Sequence, residues 1–257
     1  MRSVRPYRGE SAGYVVVHAS ERFLVVDKGP GLLTHRAPRR ADVGIIELLG
    51  RTEGFVFGVH RLDQEVSGLL AFARDPGAAT TLRAQFKDHT AERRYIAAVQ
   101  GRVEPDQGRL EHHLAQNRGT FRMYPVPPGH GRRAVTHFWV LDRFEHTSLL
   151  EVALETGVKN QIRAQFSLFG HPLLGEQKYQ GPSAIQRRRI FLHATLLSFV
   201  PPGKGKMQTW HSSLPNDLLR WRERLADGED PTTEGRPSAR ASSRPRRAGW
   251  LHRQRKR

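Results

Sequence analysis

The residues best placed for chemistry lie at 60–73. They read His60-Arg61-Leu62-Asp63-Gln64-Glu65-Val66-Ser67-Gly68, followed by the apolar run Leu69-Leu70-Ala71-Phe72-Ala73. The apolar half predicts a buried strand. The charged half predicts a loop, with Ser67-Gly68 as the break between the two. Arg61 and Asp63 therefore sit on a loop held by a rigid element, where functional groups concentrate. Asp63 offers a carboxylate that can act as a nucleophile. Taken alone, an Asp in this setting more often caps a turn.

The elements that must position these groups can be read along the chain. Residues 15–18 and 23–27 are β-branched runs and predict two strands. Lys28-Gly29-Pro30-Gly31-Leu32 predicts a tight turn after the second. Residues 78–87 predict a short helix, with Leu82 and Phe86 on one face. Residues 95–99 predict a strand, followed from Gln100-Gly101 by a loop-rich, strand-rich region. Residues 135–141 and 148–154 predict paired strands. Residues 160–169 predict a helix closed by Gly170, with Pro172 beyond. A strand over 191–200 and a final helix from near Asn216 to Leu225 complete the pattern. The class is α+β, mostly antiparallel strands with a few helices. His112-His113 lacks the spacing and carboxylate context of a metal site and reads as a surface pair.

Composition narrows the function. The chain has 257 residues and no Cys, which excludes disulfides, thiol nucleophiles and cysteine–zinc sites and fits a reducing cytoplasm. No apolar run is long enough to span a bilayer, and Met1 to Glu10 is polar and basic rather than a secretory leader. The net charge of +17 points to a polyanionic partner, most simply nucleic acid. Residues 236–257 carry nine basic and no acidic residues, so 1–235 carry 17 − 9 = +8. The organisation expected is a short basic segment over 1–14, one catalytic domain over 15–225 and a disordered basic tail over 226–257. The tail is expected to adhere to RNA.

The pattern HRLDxxxSGLLxFA resembles the signature of the RluA-type pseudouridine synthases, in which HRLD is followed by two residues and Thr-Ser-Gly. Val66 stands here where Thr is usual. Further segments extend the resemblance in order. Glu92-Arg93-Arg94-Tyr95-Ile96-Ala97 is similar to the family's basic-x-Tyr-x-Ala strand. Thr156-Gly157-Val158-Lys159-Asn160-Gln161-Ile162-Arg163 is similar to TGRxHQIR, with Val158 and Asn160 in place of Arg and His, and Gln165 stands where His is frequent. The stretch from His171 to Tyr179 is similar to GHPLLGDxKY, and Leu192-His193-Ala194 to a late LHA strand. The turn after Asp27 keeps the Lys and final Gly of a Lys-Pro-Ala-Gly turn but changes its middle, which weakens any role for Lys28.

The resemblance implies a pseudouridine synthase catalytic fold: a large bent mixed sheet with helices and loops around it and a cleft across its middle. It implies an enzyme that detaches uracil from ribose at N1, turns it and rejoins it through C5. Asp63 is then the catalytic nucleophile. Tyr95 lies against the uracil and has a phenol able to assist at C5. Arg163 keeps Asp63 ionised and oriented. Arg61 enters the space left by a flipped base, an extrusion that costs a few kcal/mol. Attack at the sugar, attack at the base and proton removal from the sugar all begin with the same carboxylate. No metal or organic cofactor is required. The expected partner is RNA, ribosomal or transfer, handled by a cytoplasmic monomer. The residues before Val15 leave no room for the small S4-like domain of some relatives, so recognition is expected to fall to the catalytic domain and the tail.

Two other readings use the same features. An RNA-binding or ribosome-assembly factor on this fold would need the basic charge without the Asp63, Tyr95 and Arg163 set. A hydrolytic glycosidase would need an acid/base partner beside Asp63; Glu65 is near in sequence, with nothing to place it in that role.

Overall fold

The structure, a computed structural model, describes residues 13–35, 43–179, 189–203 and 205–229. In chain order the elements are β1 Tyr14–Ala19, β2 Phe23–Lys28, α1 Ile45–Thr52, β3 Phe57–Gly58, β4 Ser67–Ala73, α2 Pro76–Lys87, β5 Glu92–Gln100, β6 Gln107–Gln116, β7 Met123–Val126, β8 Arg132–Arg143, β9 Thr147–Leu154, α3 Gln161–Leu168, β10 Leu192–Phe199, β11 Gln208–His211 and α4 Asn216–Ala226. They form one mixed 11-stranded sheet in the order β1-β2-β4-β10-β5-β9-β8-β6-β7, with β3 added to β4 and β11 to β10. The chain is α+β, as its pattern of elements predicts.

The apolar run of β4 is explained by two cores. Leu24, Val26, Leu70 and Phe72 face one core, with Ile45 and Leu49 of α1 and Ile162 and Phe166 of α3. Phe23, Val25, Leu69, Ala71 and Ala73 face the other, with Ala78, Leu82 and Phe86 of α2. Side chains alternate across a strand, so a strand covered on both faces has no polar side to show. Each fully buried Leu or Phe here contributes roughly 1.5–3 kcal/mol relative to exposure.

One expectation is corrected. Ser67 and Gly68 do not break the chain before the strand; they begin it. They pair in parallel with His193 and Ala194 of β10, whereas the other strand pairs run antiparallel. Gly68 has φ 113°, and a Cβ there would lie 2.3 Å from the Ala194 carbonyl oxygen. Glycine is required because a neighbouring backbone passes against it, not because the chain turns.

Other differences are local. α2 starts before residue 78, because the Asp75 side chain accepts from Ala78 N and Pro76 opens the first turn. α1 has no side-chain cap at Gly44. Gly170, with φ 86°, follows α3 as the pattern predicts. Helix α4 is closed by Asp227 N and Glu229 N bonding to Glu223 O and Arg224 O, so order extends past residue 226. The N-terminal segment up to residue 12 and the tail from 230 lie outside the described residues.

Candidate active site

The loop that carries Asp63 is fastened at alternate residues. His60 Nε2 accepts from Ala71 N at 2.9 Å, and its ring stacks on Phe86 with centroids 4.1 Å apart. Leu62 is held at both backbone atoms by Thr34: its carbonyl accepts from Oγ1 at 2.8 Å and its N–H donates to Oγ1 at 3.3 Å. Gln64 O accepts from Gly31 N at 2.7 Å, and Gln64 Nε2 donates to Gly31 O at 2.9 Å. Residues 60, 62 and 64 are thereby tied to the scaffold. Arg61 and Asp63, between them, line a cleft of about 440 Å³. That volume lies within the roughly 300–1,000 Å³ of small-ligand sites; it admits a nucleotide-sized group and not a double helix.

Lys28 has a larger part here than its altered turn suggested. It is fully buried, and Nζ donates to the carbonyls of Gly29 (2.8 Å), Leu32 (2.9 Å) and Gln64 (3.4 Å). Burial pushes its pKa down to about 7, with the Asp63 charge opposing. The lysine ties the turn to the loop beneath Asp63.

Arg163 lies against Asp63 and against two further carboxylates. Its Nη1 donates to Asp63 Oδ2 at 3.1 Å and to Glu65 Oε2 at 3.2 Å. Its Nε and Nη2 grip both oxygens of Glu176 at 2.7 and 2.9 Å. The arginine is 4% exposed, Glu176 0% and Asp63 17%. Burial works against the guanidinium's charge, but the hydrogen bonds and charge of Glu176, with Asp63 and Glu65, raise its pKa overall. The bidentate Glu176 pair fixes the plane of the guanidinium and so aims Nη1 at Asp63. Glu176 belongs to the segment that resembled GHPLLGDxKY, but its buried grip on Arg163 is visible only in three dimensions.

Asn160 is a second partner that the sequence did not reveal. It stands at the left-handed residue before α3, with φ 51°, a conformation Asn tolerates better than most residues. One amide orientation satisfies every neighbour. In it Nδ2 donates to Asp63 Oδ2 at 2.7 Å and Oδ1 at 3.0 Å, while the amide oxygen accepts from Lys178 Nζ at 2.8 Å and Tyr179 OH at 3.2 Å. The replacement of the family's His thus keeps a polar hold on the nucleophile candidate. Val66 is buried in the core with Leu62 and Tyr95, where the usual hydroxyl is replaced by a methyl. Gln165 binds structure together: Thr136 Oγ1 donates to it at 2.6 Å, and its amide reaches the Leu110 and Ala134 carbonyls at 3.0 Å. Its contact with His112 Nδ1 at 3.2 Å makes that histidine part of the packing rather than a free surface group.

Tyr95 lies on β5, the central strand in the order, is 6% exposed and lines the same cleft. Burial raises its pKa, with Arg93 lowering it and Asp63 raising it further. The phenol therefore stays protonated. Arg61 is exposed at the cleft and makes no ion pair among the described residues. The structure thus brings Asp63, Tyr95, Arg163 and Arg61 to one cleft. Among the described residues no cluster of His, Cys, Asp and Glu has the arrangement of a metal site.

Comparison with known proteins gives the family. Residues 22–168 match the family model described as RNA pseudouridylate synthase. The chain is 34% identical over 222 residues to the ribosomal large subunit pseudouridine synthase D of Zymomonas mobilis, covering 79% of this chain and 70% of that protein. It is 32% identical over 223 residues to the protein of the same name from Pseudomonas aeruginosa, covering 79% and 69%. The solved structure of human RNA pseudouridylate synthase domain containing 4 superposes with a TM-score of 0.68 at 22% identity, covering 82% of this chain and 92% of that one, a likeness of fold. The chain therefore belongs to the RluA-type RNA pseudouridine synthases, isomerases that act on uridine in RNA.

Proposed function

We propose that Asp63 is the nucleophile of uridine isomerisation, with Arg163 holding it ionised, Tyr95 forming the stacking face for uracil and Arg61 filling the gap in the RNA stack. The observation that carries this reading is the clamp in which Glu176 holds Arg163 and Arg163 reaches Asp63 Oδ2 at 3.1 Å. A catalytic carboxylate must be accessible and aimed. An exposure of 17% supports the first and the clamp the second. The Tyr95 phenol, kept protonated by burial, serves proton transfer at C5 as a neutral hydroxyl. The reaction breaks the C1′–N1 bond and forms C1′–C5; the C5 hydrogen leaves to solvent as a proton and N1 takes up a proton from solvent in its place.

The substrate we propose is large-subunit ribosomal RNA, on the strength of the two relatives so named. The working unit is a monomeric catalytic domain that runs through α4 and its closing turn to residue 229, acting in the cytoplasm, with the nine basic residues of 236–257 adding phosphate attraction without reading bases. Among the described residues no helix is long and apolar enough to cross a membrane. A non-catalytic assembly role on the same fold gains nothing from the Asp63 clamp, which RNA binding alone does not require. Site-resolved pseudouridine mapping of cellular RNA, with and without the gene, tests the proposal. Loss of pseudouridine at one or a few large-subunit positions is expected; loss confined to transfer RNA would overturn the substrate.

A further inference from the structure

Arg93 is a second buried arginine of the cleft, and the mechanism above leaves it without a task. It is 8% exposed and sits two residues before Tyr95 on β5, so the two side chains share a face. Its guanidinium lies over the Phe86 ring at 5.9 Å and donates from Nη2 to Thr156 O at 3.3 Å. Nε is buried with no acceptor among the described residues, and no carboxylate there pairs with the group. Gly157 gives it room: a Cβ at that position would lie 3.0 Å from Nη1. A desolvated cation with no counter-charge is costly, and a ligand's anion recovers that cost.

The surroundings are cationic. Arg132 and His89 line the same cleft. His89 is pushed down by burial first, then by Arg93 and Arg132, with Asp88 and Glu155 opposing. Glu155 is itself engaged by Arg133 and His137. Uracil and ribose are neutral; the only formal charge an RNA nucleotide brings is its phosphodiester. A guanidinium is also the side chain suited to two-point phosphate binding.

We propose that Arg93 is a phosphate ligand: it takes the backbone phosphate flanking the target uridine, in a subsite completed by Arg132 and His89. The flipped nucleotide is then held at two points, uracil against Tyr95 and phosphate against Arg93. This sets how deep the sugar can enter toward Asp63. The inference rests on RNA as substrate and is indifferent to which RNA it is.

The test uses an RNA stem–loop that the wild-type protein modifies, with a neutral methylphosphonate in place of the phosphate either 5′ or 3′ of the target uridine. Tritium release from C5 gives KM and kcat. One of the two replacements should raise the wild-type KM roughly 10- to 100-fold, the range of a charge-assisted hydrogen bond. Arg93→Gln should raise KM similarly on the natural RNA and lose nothing more with the neutral linkage, and Arg93→Lys should fall between. If neither replacement raises the wild-type KM, the phosphate subsite does not exist, whatever the variants do. Multiplicative losses for Arg93→Gln and the neutral linkage would also overturn it. So would a fall in kcat at unchanged KM in Arg93→Gln, which would put the charge at the departing uracil.

Discussion

Arg163 and Arg93 are both buried arginines of the same cleft, yet one is saturated and the other is not. Arg163 meets three carboxylates; Arg93 meets one carbonyl and an aromatic face. The difference separates two uses of buried charge. A cation matched from within is a fixture that orients other groups, and a cation left unmatched is a receptor for an anion brought from outside. The same contrast recurs at the start of β8. Arg133 pairs with Glu111 and Glu155. Its neighbour Arg132, pointing to the other side of the strand, lines the cleft with no carboxylate partner among the described residues. The surplus of +17 thus understates how selectively the cleft is left positive.

The contrast should show most strongly in stability. Arg163→Met leaves Glu176 buried and unpaired and should cost about 3–5 kcal/mol in urea unfolding, with activity at background. Adding Glu176→Gln should restore much of the stability and none of the turnover. Arg93→Met orphans no carboxylate and should cost no more than about 1 kcal/mol. Equal losses at the two arginines would erase the distinction.

A third group of buried residues meets the same difficulty by giving up charge. His60 is pushed down to about 3 by burial and then by Arg93, and His193 to about 3 by burial and then by Arg189. Below the ordinary histidine value near 6.5 the unfolded chain takes up protons that the folded protein refuses. Stability is therefore present above that pH and lost as pH falls toward 3, by about 1.4 kcal/mol per pH unit for each histidine. Lys28, at about 7, works in the same sense in a higher window, with stability rising from pH 7 toward its unfolded value near 10.5. Urea unfolding across pH 4–7 should show the acid loss, and His193→Gln should flatten it. An unchanged slope would mean that His193 is already charged in the fold.

The smallest expected effect concerns residues 236–257. Their removal should lower the log–log salt slope of RNA binding by about 0.7–0.9 for each phosphate that the tail no longer neutralises, without moving the modified uridine. A redirected site would make the tail a reader of sequence rather than a source of positive charge alone.

How far the molecule was legible in its sequence differs by kind of signal. Asp63, Tyr95 and Arg163 lie in short contiguous motifs, and their meeting in one cleft follows the motifs. Partners that close the site from elsewhere were not visible. Glu176 is thirteen residues from Arg163, and nothing in a Gly-Glu-Gln-Lys stretch announces complete burial. Asn160 read as a departure because the identity of a residue does not disclose where its amide points. Arg93 passed as the basic member of a motif; what marks it, the absence of a carboxylate, is a property of its surroundings alone. Strands and helices with one-sided or continuous apolar patterns were read close to their observed bounds. Helix α1 was missed because Gly44 offers no side-chain cap and the helix is short. Ser67-Gly68 reads as a break before the strand because the close approach of β10, which demands the glycine, comes from a strand more than a hundred residues away.

The central claim is that one end of the cleft performs chemistry and the remainder holds RNA. Asp63→Asn tests it most directly, since the change removes the carboxylate's charge and keeps its shape. Tritium release from C5-labelled uridine RNA and RNA affinity would be measured on the same purified variant. The account predicts release at background with affinity unchanged from wild type. Near-normal release by Asp63→Asn would contradict it.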